Sequence, residues 1–141
     1  MDARLRLNLW VAVTLGVGAS AFAAAGVRLP AALTGAWGVL VLIVVSPILE
    51  EWLLRAGLHD ALAQRWPERS RGWASPITLA VAAAFALAHA AVQWNWQGLL
   101  TLVPAWLIGW AYSESRSLGW AMSHHALANA ALLASGLWLS R

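Results

Sequence analysis

Three groups of side chains in this sequence have the types and spacing for hydrolytic chemistry. Glu50, Glu51 and Arg55 stand in "EEWLLR", Phe85 and His89 in "FALAH", and His125 and Asn129 in "HHALAN". The pairs Glu51/Arg55, Phe85/His89 and His125/Asn129 are each four residues apart, so on helices the members of each pair share a face. Glu50 is turned about 100° from Glu51 around the same helix. Arg55 is therefore placed to neutralise Glu51 and leave Glu50 to face another neighbour. A carboxylate held out of bulk water can take a proton from a water molecule while that water attacks a peptide carbonyl. His and Asn side chains can donate hydrogen bonds to the oxyanion that forms. Together these groups are an inventory for amide hydrolysis. The same carboxylates and imidazoles also suit a divalent ion such as zinc. The HExxH pattern of zinc proteases is absent, and the sequence favours neither a metal nor a cofactor.

Taken singly, each residue has a plainer explanation. His89 alone would be a hydrogen-bonded packing residue, and Asn129 alone would be glue between helices. Glu51 and Arg55 read as a structural pair. His124 reads as a bystander or a support, because its neighbour His125 has Asn129 on its face. His59 and Asp60 are expected at an interface, solvated.

The elements that must position these residues follow from composition. The chain has 141 residues, 61% hydrophobic and 11% charged, with mean hydropathy +0.66. Soluble domains carry about 25% charged residues, so this chain lacks the polar side chains to cover a water-facing surface. All nine basic residues are arginines, and they are scattered. No basic stripe forms, which speaks against nucleic acid. There is no cysteine, hence no disulfide framework and no thiol nucleophile.

A membrane-spanning helix needs about 20 apolar residues. The hydrophobic segments predict helices at roughly 7–27, 33–62, 74–92, 98–113 and 117–139, in a single membrane domain over 1–141. The fold expected is therefore all-α and polytopic, with about five transmembrane helices around an intramembrane polar site. "QWNWQG", Gln93 to Gly98, is expected to turn between the third and fourth helices. Arg4 and Arg6 before an apolar run ending in "AFAAAG" also resemble a secretory signal, a competing account of the first segment.

With the N-terminus cytoplasmic, the inner side holds Arg4, Arg6, Arg65, Arg69, Arg71 and Arg116, and the outer side Arg28 and Arg141. That asymmetry predicts an N-in orientation. Trp66, Trp73 and Trp120 are expected near the inner interface and Trp94 and Trp96 near the outer one, with Trp52, Trp106 and Trp110 deeper, as packing residues. Arginine without lysine, beside abundant Ala and Gly, points to a bacterial inner membrane. Ionisable groups at bilayer depth cost about 2.5 kcal/mol or more each. Glu50, His89 and His125 are therefore expected to face one interior cavity, with Pro47 kinking the second helix and freeing backbone groups beside it.

The three motifs, in this order, resemble those of the CPBP family of intramembrane endopeptidases. That family is related to the type II CAAX prenyl protease and to bacteriocin-processing and self-immunity proteins. Its pattern reads EExxxR, FxxxH and HxxxN on successive membrane helices, and it covers Ser46 to Asn129 here. The resemblance implies that Glu50 activates water with help from His89, that His125 and Asn129 stabilise the oxyanion, and that Glu51, Arg55 and Phe85 support the site. It implies a membrane-associated protein or peptide substrate and glutamic rather than metal-dependent chemistry. The resemblance to short members extends the expected substrates to C-terminal sorting tails. Where many members have Phe-Arg-Gly, this chain has Leu54-Arg55-Ala56. Two other classes share these features. A non-enzymatic immunity or scaffold protein would keep the fold without cleavage. A small transporter would use Glu50 and the histidines as a proton relay, with pH-driven flux and no proteolysis.

Overall fold

A computed structural model describes residues 2–26 and 33–139. It is helical, with no strand among the described residues. Helix α1 spans Ala3–Ala24, α2 Ala36–Arg65, α3 Pro76–Gln93, α4 Leu102–Ser115 and α5 Leu118–Leu139. Helices α1, α2 and α3 are each long and apolar enough to cross a membrane. Large apolar side chains such as Val13, Val17, Trp37, Leu49 and Leu87 point outward. Water would not tolerate such an outer face, and a bilayer would.

The helix ends differ from the expected ones for local reasons. Asp2 accepts a hydrogen bond from Arg4 N and starts α1 at Ala3, ahead of the first uncharged run. Ser75 caps α3 by accepting from Thr78 N, with Pro76 in the first turn. Asn95 accepts from Gln97 N and opens a short 3-10 turn over Trp96–Thr101, so α4 begins at Leu102 rather than near 98. Val27, Arg28 and Arg141, which the expected first helix and the outer arginine count include, lie outside the described residues.

Two interiors hold the helices together. Val11 and Leu15 of α1, Leu107, Ile108, Ala111 and Tyr112 of α4 and Ala121 of α5 form one. Leu54 of α2 packs with Ile77 and Val81 of α3 in the other. The chain alternates direction, so one end gathers the start of α1, the 65–75 connection and the α4–α5 turn. There Arg116 pairs with Asp60 at 3.0 Å and Glu114 accepts from Gly72 N at 2.9 Å. Arg4, Arg6, Arg65, Arg69, Arg71 and Arg116 belong to this end.

Helix α2 is wound unevenly. It widens to π geometry over Val41–Val45 and again over Trp52–His59, on either side of Ser46–Glu51. Such segments are rare and recur at functional sites. The first has a visible consequence. Ser46 N bonds to Val41 O, five residues back. In that register the donor for Leu42 O would be residue 47, and Pro47 has no N–H. The stranded carbonyl accepts from Asn129 Nδ2 of α5 at 2.9 Å.

Two expectations need correction. Trp52 is exposed on the outer face of α2. Glu51, Leu54 and Arg55 take the inward face, and the position beside Glu51 is turned away from it. His59 is fully buried rather than solvated. It continues the inward stripe from Glu51 and Arg55 at four-residue steps, reaching Thr78 Oγ1 at 3.4 Å and the edge of Tyr112. Asp60 is half-buried, accepting from Tyr112 Oη at 2.9 Å.

Candidate active site

The site is built where α2, α3 and α5 meet. Ser46 begins the segment of α2 between the two π stretches, one turn ahead of Glu50, and its hydroxyl donates to Glu50 Oε1. Glu50 Oε2 has no hydrogen-bond partner and lies 3.7 Å from His125 Nε2. That separation is too long for a direct hydrogen bond. Glu51 is buried with two partners. Its Oε2 accepts from Arg55 Nε at 2.8 Å, and its Oε1 from His125 Nδ1 at 2.9 Å. One imidazole therefore stands between the two adjacent carboxylates. Because a carboxylate only accepts, His125 carries its proton on Nδ1, as its contact with Glu51 requires.

Helix α3 brings Phe85 and His89 to the same place. His89 Nδ1 lies 3.2 Å from Phe85 O, four residues back. A carbonyl also only accepts, so Nδ1 donates, and in the neutral ring Nε2 keeps its lone pair. The Phe85 ring lies 4.1 Å from the His89 ring and 6.0 Å, edge-on, from that of His125. Phe85 is thus the spacer between the two histidines. Glu50 and His89 line one cavity of about 390 Å³, walled by Leu53, Leu54, Ala84 and Phe85 and continuing past Val92. Its lining is mostly carbon, with Glu50, His89 and Gln93 as its polar members.

Asn129 lies one turn beyond His125 on α5, yet its amide is spent partly on Leu42 O. The ring nitrogens of His125 face Glu51 and Glu50 instead. His124 points away from the site. It is buried, with Nε2 donating to Asn8 O at 3.0 Å and its ring stacked on Trp120, and so ties α5 to α1. Among the described residues, no group of three His, Asp or Glu side chains is placed to hold a metal ion.

Several contributors carry no motif signal. Ser46 is visible only in retrospect, one turn before Glu50. Gly98 is another. A methyl group there would lie 2.4 Å from Ala90 N and 2.7 Å from His89 C, both main-chain atoms that cannot rotate aside. The 3-10 turn is therefore seated directly on the helix end that carries His89. Gly98→Ala is expected to lower stability by about 1–3 kcal/mol, the usual consequence of overpacking. Thermal unfolding in detergent measures it, and an unchanged midpoint would show that the two backbones are not in contact.

Comparison with known proteins adds one finding to this geometry. The family model described as "Type II CAAX prenyl endopeptidase Rce1-like" matches residues 31–131, a stretch that contains all three motifs. No curated protein and no solved structure matches the chain.

Proposed function

The chain belongs to the Rce1-like family, a peptidase family of integral membrane proteins, and from that premise we propose that it is an intramembrane endopeptidase of the glutamic type. One observation carries the assignment: Glu50 and His89 line the same largely apolar cavity, with His125 beside Glu50.

The chemistry follows from which atoms are free. A water between Glu50 and His89 donates one hydrogen to the Glu50 carboxylate and the other to His89 Nε2. Its lone pair is then directed at the substrate carbonyl. As the oxygen–carbon bond forms, Glu50 takes the proton. The carbonyl oxygen becomes the oxyanion, stabilised by the Asn129 N–H that Leu42 does not use, while His125 acts as a positioning group beside Glu50. Collapse breaks the carbon–nitrogen bond, and Glu50 returns the proton to the leaving amine. The products are a carboxylic acid and an amine, with no cofactor consumed. Glu51 and Arg55 hold His125 in its tautomer.

The cavity walls favour a membrane-associated peptide, such as a C-terminal sorting tail, over a soluble one. The arginine-rich end of the bundle supports an N-in orientation in a bacterial inner membrane.

The test uses purified protein in detergent with C-terminal peptides anchored by a lipid or an apolar segment. Cleavage is read by mass spectrometry and zinc by metal analysis. Cleavage with substoichiometric zinc is the expected result. Stoichiometric zinc, lost with activity on chelation and restored on refilling, would overturn the glutamic mechanism. Proton flux in vesicles without cleavage would replace the peptidase with a transporter.

A further inference from the structure

Arg55 is fully buried, and its guanidinium reaches past α2 to a second helix. Nε is held by Glu51, and Nη2 donates to Ala105 O of α4 at 3.0 Å. Gly109 lies one turn further along α4, on the same face. A methyl group at Gly109 would lie 2.9 Å from Arg55 Nη1, 2.9 Å from Thr78 Cγ2 and 3.5 Å from Arg55 Cζ. The missing side chain thus leaves a notch where α2, α3 and α4 meet, and the guanidinium fills it. The other walls are closed, because Thr78 and Gly109 are themselves buried.

We propose that Gly109 is a positioning residue for the site. It fixes Arg55, which fixes Glu51, which holds His125 Nδ1 and so aims His125 Nε2 at Glu50. Gly109 does not line the cavity beside Glu50 and His89, so it acts on turnover rather than on substrate binding. Its effect on turnover rests on the peptidase function proposed above; its effect on Arg55 does not.

Helix propensity makes the opposite prediction, which sharpens the test. Alanine favours a helix interior over glycine, so an ordinary Gly→Ala change in α4 would stabilise it. Gly16 and Gly136 have open space where a methyl group would go, and Gly16→Ala or Gly136→Ala serves as the control for that ordinary behaviour.

The experiment is a double-mutant cycle of Gly109→Ala with Arg55→Lys. Lysine has no atom in the Nη1 position, so the added methyl can move into that space and away from Thr78. In the wild-type background, Gly109→Ala is expected to lower kcat by tenfold to about a hundredfold, as small misplacements of a site do, with KM changed less than about threefold. In the Arg55→Lys background the same change is expected to lower kcat less than about threefold, because the two residues share one contact. Equal losses in both backgrounds, or wild-type kcat in Gly109→Ala, would overturn the proposal.

The melting temperature is read on the same four proteins and needs no substrate. A loss in Gly109→Ala that shrinks in the Arg55→Lys background supports the notch, and additive shifts overturn it. If the wild type cleaves nothing, the peptidase function fails while this melting cycle still decides the geometry. If Gly109→Ala does not fold, recovery of folded protein by adding Arg55→Lys supports the notch, and no recovery overturns it.

Discussion

Glu50→Gln is expected to reduce peptide cleavage by about a hundred- to ten-thousandfold, the range contributed by a positioned general base, while the protein melts where the wild type does. The two side chains have nearly the same shape. The glutamine amide oxygen can keep the hydrogen bond that Ser46 gives to Oε1. Its amide nitrogen can face His125 Nε2, which in the tautomer fixed by Glu51 is a lone pair. Stability therefore has little to lose. Catalysis has much to lose, because an amide cannot accept the proton of the attacking water. The cleavage assay and thermal unfolding are run on the same preparation. Retention of more than about a tenth of wild-type activity would mean that another group takes the proton, and His89 would then be the first to test.

The convergence of the three motifs was legible because it follows from energetics. Glu50, Glu51, Arg55, His89 and His125 are each too expensive to face lipid, so their helices had to meet. The four-residue spacings gave the Glu51–Arg55 pair directly, and the observed bond at 2.8 Å is the one expected of them. The use of Asn129 was less visible. Its bond to Leu42 O depends on a π register that no residue type announces, combined with the missing N–H of Pro47. Gly98 and Gly109 were silent for a different reason. A glycine gives no sign of which backbone or guanidinium will be pressed against it. The Gly109 contact joins residues far apart in the chain and exists only after the helices have paired, and the Gly98 contact forms only when the turn folds back on the end of α3. His59 falls between these cases. Its place on the stripe with Glu51 and Arg55 was in the sequence, and its nearness to charged Asp60 and Arg65 made it look like an interface residue. In the fold its Nε2 reaches Thr78 Oγ1 and its ring packs edge-to-face with that of Tyr112.

Arg55→Ala is expected to destabilise the protein by about 3–5 kcal/mol, the usual consequence of removing one partner from a buried ion pair. Glu51 would keep only its bond from His125, and the Ala105 carbonyl and the Gly109 notch would lose their occupant. Activity should fall as well, because the carboxylate that holds His125 is no longer held itself. Glu51→Gln combined with Arg55→Met should recover at least half of the lost stability. No lone charge remains in that pair, the amide oxygen at position 51 can still accept from His125 Nδ1, and an unbranched apolar chain can occupy the notch. Activity should stay low in the double variant, since a neutral amide orients an imidazole more weakly than a carboxylate does. The roles of the two glutamates thus separate in two measurements. Changes at Glu50 move cleavage alone, and changes at Glu51 and Arg55 move cleavage and melting together. If Arg55→Ala melts like the wild type and is inactive, Arg55 belongs with the groups that touch the substrate, and the structural role of the pair is wrong.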